Sequence, residues 1–176
     1  MKIKLFLTVL LLPVLAFSQK TETFLSILDA SNVPIKGTAT KERYENTIII
    51  NSLQADAQTT QRGGKVNNQI SFTMPICGAS AEFKRALSTG RTLPKGDFSV
   101  VTSALSVMVN SMIRVEEVTI LSCTDAVGCN GAMSTTVVLV ANRIGWTYYT
   151  PNKAGVNTIS KKFGWDAQMN REWTGF

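Results

Sequence analysis

Residues 135–149 read TTVVLVANRIGWTYY, and this stretch decides the fold. It opens on Val137-Val138-Leu139-Val140, a β-branched and apolar run of the kind that fills a covered strand. It ends on Ile144, Trp146 and Tyr148, spaced by two, so a strand puts them on one face and Tyr149 on the other. Fifteen residues without a helical period predict one long strand. Trp146 and Tyr148 are expected to pack in the core and Tyr149 to reach an interface.

Strand signals continue on both sides of it. Residues 115–123 carry another β-rich run, in which Glu116 and Glu117 are expected to face opposite ways and so form no acid/base pair. Leu105, Val107 and Val109 alternate with polar or longer neighbours, and strand character resumes from Phe98. Ile70-Ser71-Phe72-Thr73-Met74 alternates with period two, Ile48-Ile49-Ile50 lies in a buried strand over 45–53, and Phe24 to Leu28 makes a short first strand. Residues 29–37 (DASNVPIKG) are turn material, and 58–68 (QTTQRGGKVNN) read as a long polar loop.

One helix interrupts this pattern. Ser80 is the expected N-cap and 81–88 have helical composition, with Phe83, Ala86 and Leu87 on one face. Gly90 suits the position after the last turn, and Pro94 blocks continuation. Strands with one short helix and no internal repeat predict a single all-β domain, mainly antiparallel, closed or nearly closed as a barrel or sandwich.

The first 18 residues, MKIKLFLTVLLLPVLAFS, are expected to lie outside that domain. Lys2 and Lys4 precede a short apolar run, and Ala16-Phe17-Ser18 fits signal-peptidase cleavage before Gln19. The run is about half of the roughly 20 residues that a spanning helix needs. No cysteine follows it to carry a lipid, and no later stretch is long and apolar enough to span. The mature domain is then 19–176, exported to the periplasm or the exterior.

Composition narrows the chemistry. The chain has 176 residues, 18 Lys and Arg, 12 Asp and Glu, no His, a net charge of +6, and 44% hydrophobic residues. That is enough chain for one real core. Without an imidazole, Ser-His-Asp and Cys-His activation and the common catalytic zinc sites are excluded. Carboxylate-only hydrolysis needs no His, but the acidic residues are scattered and no pair declares itself. Cleavage of the leader removes two lysines and leaves +4, spread without a dense basic patch, so nucleic acid is not an expected partner. No cofactor or metal is expected. Gln61-Arg62-Gly63-Gly64-Lys65 lacks the spacing and the following helix of a phosphate loop.

Three cysteines enter an oxidising compartment. Cys123 and Cys129 flank a five-residue loop and fit a local disulfide, with Cys77 a buried free thiol, though sequence alone leaves the other pairings open. Trp165 and Trp173 sit in a polar tail and suit docking, and Asp166 could cap a turn or pair with a basic residue.

The order of these elements resembles the haemolysin-coregulated protein (Hcp) family, the tube proteins of type VI secretion. The similarity runs over roughly 22–173. It rests on Phe24-Leu25-Ser26-Ile27 followed by Ile35-Lys36-Gly37, and on Ile70-Ser71-Phe72-Thr73 leading into the helix. It continues with Ala86-Leu87-Ser88-Thr89-Gly90-Arg91-Thr92-Leu93, Arg143-Ile144-Gly145-Trp146-Thr147-Tyr148-Tyr149 and Lys162-Phe163-Gly164-Trp165-Asp166. The leader and the cysteine-bearing segment 116–131 are additions to that pattern. The resemblance implies a β-barrel of two sheets with a helix at its side, no enzymatic activity, and six copies in a ring that stacks into a hollow tube for effector cargo. It also implies that the loop with Arg62, Gly63, Gly64 and Lys65 reaches a neighbouring ring. Tyr149, Trp165 and Asp166 are further candidates for contacts between copies. The other reading, from the leader and the clustered aromatics, is a secreted β-sandwich module that binds glycans or surface polymers.

Overall fold

The structure is a computed structural model, and it describes residues 20–59, 66–103, 107–153 and 156–176. The leader, residues 60–65 with Arg62, Gly63, Gly64 and Lys65, and Leu105 lie outside the described residues. Among the described residues, nine strands and one helix follow in the order β1 (Lys20–Ile27), β2 (Ile48–Ile50), β3 (Ser52–Thr59), β4 (Val66–Pro75), α1 (Gly78–Thr89), β5 (Leu93–Ser103), β6 (Val107–Val127), β7 (Met133–Pro151), β8 (Asn157–Asp166) and β9 (Arg171–Glu172).

The all-β, antiparallel architecture with one helix is the expected one. Its strands form a single sheet rather than two, in the order β2-β1-β5-β6-β7-β4-β3, with β8 on β7 and β9 on β8. The reason is the length of β7. Its first half pairs with β4 (Gln69↔Val140 to Pro75↔Ser134) and its second half with β8 (Arg143↔Asp166 to Pro151↔Asn157), so one strand carries both layers. The sheet is not closed by a ladder. Its end strands β2 and β3 are consecutive pieces of chain divided at Asn51, whose N–H donates to the Thr73 carbonyl at 2.8 Å. Of the polar stretch expected as a long loop over 58–68, the described residues 58–59 and 66–68 lie in the β3–β4 ladder, with Thr59 registered on Val66.

The sheet curls around Leu25, Ile48, Ile70, Met74, Leu93, Val115, Leu139 and Ile144, all buried. Phe72 sits at the centre and meets Phe83 and Phe98 edge-on, with centroids 5.8 and 5.5 Å apart. A smaller cluster lies on the outer face: Phe24, Ala39 and Val101, with Tyr44 stacked on Phe24 at 4.6 Å. Burial on both faces explains why Ile48-Ile49-Ile50 is apolar without alternation. The segment that covers the outer cluster folds back tightly. A Cβ on Gly37 would stand 2.2 Å from the Thr47 carbonyl oxygen, so only glycine fits.

The helix starts earlier than its composition suggests. Cys77 is the N-cap, and Ser80 is the third residue of the first turn. The Ser80 hydroxyl accepts the Cys77 N–H at 3.3 Å and bonds Thr135 Oγ1 at 2.8 Å. Buried Ser80 thus ties the helix to β7 as well as capping it. Thr135 in turn donates to Asp125, which also pairs with Lys84 of the helix, so α1 is stapled along the outer half of β6. Gly90 ends the helix in the left-handed region at φ 62°.

All three cysteines are free, and the bridge expected between Cys123 and Cys129 is not formed. The intervening residues are not a loop. Cys123 lies inside β6, four residues before its end at Val127, and Cys129 is beyond that end. At about 3.3 Å per residue those four alone span roughly 13 Å, whereas a disulfide needs its α-carbons about 4.4–6.8 Å apart. Cys77 is half-buried against the core.

Candidate assembly surface

A corner in the β6–β7 ribbon creates the surface. In β7 the odd residues Thr135, Val137, Leu139 and Ala141 are buried, and the next buried side chain is Ile144. In β6 the matching step runs from Val115 to Val118. Both strands therefore change the face they turn inward at one level, where Glu117 adopts φ 53°. A non-glycine residue there is strained and must be held by its neighbours. Asn142 Nδ2 donates to Glu117 Oε2 at 2.9 Å, and Arg143 bonds Glu117 and also Glu116, the latter at 3.3 Å. The two glutamates expected on opposite faces thus reach the same guanidinium, because the left-handed residue breaks the alternation. The Asn142 hydrogen bond first, and the Arg143 bond and charge next, hold the Glu117 carboxyl below its ordinary range.

Beyond the corner, β7 and β8 present two different faces. Ile144 pairs with Trp165, Trp146 with Phe163 and Tyr148 with Lys161, so these side chains share a face. They form a ridge that runs out of the core. Ile144 is buried and Trp146 stacks on Phe163 at 5.9 Å with planes 17° apart. Phe163 and Tyr148 are 46% and 48% exposed. Tyr148 is therefore not the core residue that its alternation with Ile144 suggested: the strand has left the core by that point.

The opposite face is built by small residues. Gly145 and Gly164 are register partners, and the ring of Phe176 lies on both. A Cβ on Gly145 would come within 2.5 Å of that ring, and one on Gly164 within 2.4 Å. Lys162 sits over the same ring at 4.3 Å, Trp173 packs against it at 4.8 Å, and Arg143 lies 5.8 Å over Trp173. Beside Phe176 is a cleft of about 210 Å³ lined by Met112, Arg114, Thr147, Tyr149, Ile159 and Lys162. Arg114 is held across its rim by a two-point bond to Asp97, at 2.7 and 3.1 Å, and that pairing lifts its pKa further.

The candidate contact residues are thus dispersed. Tyr149 lines the cleft, half-buried. Trp165 belongs to the ridge, with its Nε1 enclosed and, among the described residues, without a hydrogen-bond partner. Asp166 caps the turn before β9 by accepting the Met169 N–H at 2.8 Å. Sequence reasoning missed Gly145, Gly164 and Phe176. The available signal was two glycines embedded in aromatic strand patterns; in the structure neither has a positive φ, and close approach of another group explains them.

Besides the short strands β2 and β9, two longer strands have an uncovered side among the described residues. Among the described residues, β3 pairs only with β4. On its outer side β8 pairs with β9 only at Trp165 and Asp166, with one further bond from Trp173 N to the Gly164 carbonyl. Residues 157–163 are left as an open edge bearing Lys161 and Lys162. Such lysines guard an edge against indiscriminate pairing.

A family model described as "Type VI secretion system effector, Hcp" matches residues 24–148. No curated protein matches the chain. Among solved structures, the chain is similar to Hcp1 from Salmonella typhimurium, at 17% identity over 87% of this chain and 99% of that one, with a TM-score of 0.69. A structure described as a type six secretion system protein matches at 17% identity over 88% and 100%, with a TM-score of 0.71. A type VI secretion system effector from Yersinia pestis matches at 15% identity over 82% and 98%, with a TM-score of 0.65.

Proposed function

The chain belongs to the Hcp family of type VI secretion proteins, and on that premise we propose that its mature part, 19–176, is a ring subunit whose rings stack into a tube serving as conduit or cargo carrier. Its work is assembly, without a bond made or broken. The observation that carries the ring is the pair of open edges. β3 and β8 are different surfaces of one chain, and a ring is closed by heterologous contacts in which one surface of each copy meets a different surface of the next. Pairing also removes the aggregation hazard of both edges. Arg62, Gly63, Gly64 and Lys65, in the sequence between β3 and β4, are assigned to contact with an adjacent ring. Tyr149 is assigned to the lateral contact, together with the segment around Trp165 and Asp166.

The leader 1–18 directs export before assembly, so the ring forms in the periplasm or outside the cell. A glycan-binding module finds no support in the family match, and the aromatics it would use divide between two faces of β7 and β8.

Light scattering behind size-exclusion chromatography tests the ring. Residues 19–176 are expected at the mass of six chains, with six-fold rings in negative-stain micrographs. A strict monomer at high concentration overturns the ring. Mass spectrometry of the exported protein is expected to find Gln19 at its start.

A further inference from the structure

Two edges of the sheet carry charge that the chain itself does not pair. In β3 (SLQADAQT) Asp56 is the only charged residue, and its carboxylate accepts a hydrogen bond from Gln54 Nε2 at 2.9 Å. The open run of β8, residues 157–163 (NTISKKF), has Lys161 and Lys162 and no acid. Among the described residues, none of the three has an ion-pair partner. Lys162 rests on the Phe176 ring, and Lys161 is exposed. This sets both edges apart from β5 and β6, where each carboxylate is paired within the chain: Asp97 with Arg114, Glu116 and Glu117 with Arg143, and Asp125 with Lys84.

The two edges also match in form. β3 has 8 residues, about the length of the open run of β8, and its ladder with β4 leaves its other side free. Lys161 stands opposite Tyr148 and Lys162 opposite Thr147, so the two lysines lie on opposite faces of β8. A strand added to this edge finds a cation on whichever face it turns an acid.

The charges discriminate among the possible pairings. β8 on β8 brings only lysines onto one ladder, and β3 on β3 brings only carboxylates. β3 on β8 alone brings opposite signs together. Like charges side by side destabilise a ladder, and opposite charges stabilise it. The lysines that guard β8 against an arbitrary strand therefore admit a strand that carries an acid.

We propose that β3 of one copy pairs with residues 157–163 of the next, with Asp56 set against the Lys161–Lys162 pair, and that this charge match selects the head-to-tail contact over contacts between like edges. The occupant of each edge is a second copy of this chain, because the complementary charge stands on the chain's own other edge. This rests on the ring reading above and names what fixes the direction of its contacts.

Reversing either edge tests the match in the mature chain 19–176. Asp56→Lys, or Lys161→Glu with Lys162→Glu, sets like charges together at every contact, so each variant alone is expected at the mass of one chain by light scattering. An equal mixture of the two is expected to recover the mass of the ring, because every contact in an alternating ring then joins opposite signs. Variants that assemble alone as the wild type does, or a mixture that stays at the mass of one chain, overturn the charge match and leave the ring standing. Wild-type protein at the mass of one chain overturns both.

A second measurement uses a conservative change. Between about 0.1 and 1 M salt the screening length falls from roughly 10 to 3 Å. Assembly of the wild type is expected to weaken over that range. Asp56→Asn is expected to assemble less at low salt and to change little as salt rises. Equal salt dependence in the two proteins overturns the proposal.

Discussion

The two halves of β7 share one strand, one partner in β6 and one alternating pattern, yet they do opposite things. In 133–141 every second side chain enters the core, with β4 alongside and α1 stapled near the start. In 143–151 the buried phase shifts by one, Ile144 is the last fully buried apolar side chain, and the strand carries its aromatics outward beside β8. The change falls at Asn142 and Arg143, opposite Glu117 in its left-handed conformation. Alternation therefore reports which residues share a face. Whether that face is core or surface depends on what lies over it.

The largest effect should come from breaking the first half. Leu139→Ala removes a fully buried side chain and is expected to cost about 2–5 kcal/mol, measured by urea denaturation. The matching change in the second half, Tyr148→Ala, should cost less than about 1 kcal/mol, because half of that side chain is already in water. Equal losses would erase the distinction between the halves.

Next in size is the glycine seat. Gly145→Val forces Phe176 off its platform and is expected to cost about 1–3 kcal/mol, in the range of overpacking. In a double-mutant cycle with Phe176→Ala the combined cost should fall below the sum, since the ring that clashes is gone. A smaller effect is expected at the staple of the first half. Ser80→Ala deletes the acceptor for Cys77 N–H and the bond to Thr135, for about 1 kcal/mol.

Acid sharpens the same comparison. Asp125, lowered by its hydrogen bond to Lys84 and then by Thr135, serves the first half, and Glu117 serves the corner. Both carboxyls have folded-state pKa values below their unfolded ones. Their stabilisation is therefore present above the ordinary carboxylate range and is lost as pH falls through the folded values. Melting temperature should drop in that acidic window, and Glu117→Gln should flatten part of the drop. The smallest effect is chemical: burial raises the Cys123 thiol pKa, so Cys129, which is exposed, should react first with a thiol reagent at neutral pH.

Much of the fold is legible from local pattern. The strands, the apolar face Phe83-Ala86-Leu87 and the stop at Gly90 all follow from the periods and backbone preferences of single segments. The assembly surface is less legible, and particular residues show why. Ser80 looks like an N-cap because of its chemistry, but its place in the turn depends on Thr135, 55 residues away. Cys123 and Cys129 look like bridge partners because they are close in sequence, but a strand extends the chain between them. Tyr148 looks like core because it is in phase with Ile144.

By itself, then, the sequence determined the all-β class and its one helix, since these depend on propensities and spacing within a few residues, and the order of its motifs carried the resemblance to the Hcp family. Only the tertiary structure decided that β7 reverses its buried face, that one sheet takes the place of two, and that Phe176 rests on Gly145 and Gly164. Each of these depends on contacts between residues far apart in the chain, where the cost of strain at Glu117 or of a missing side chain is offset by packing that no single segment contains.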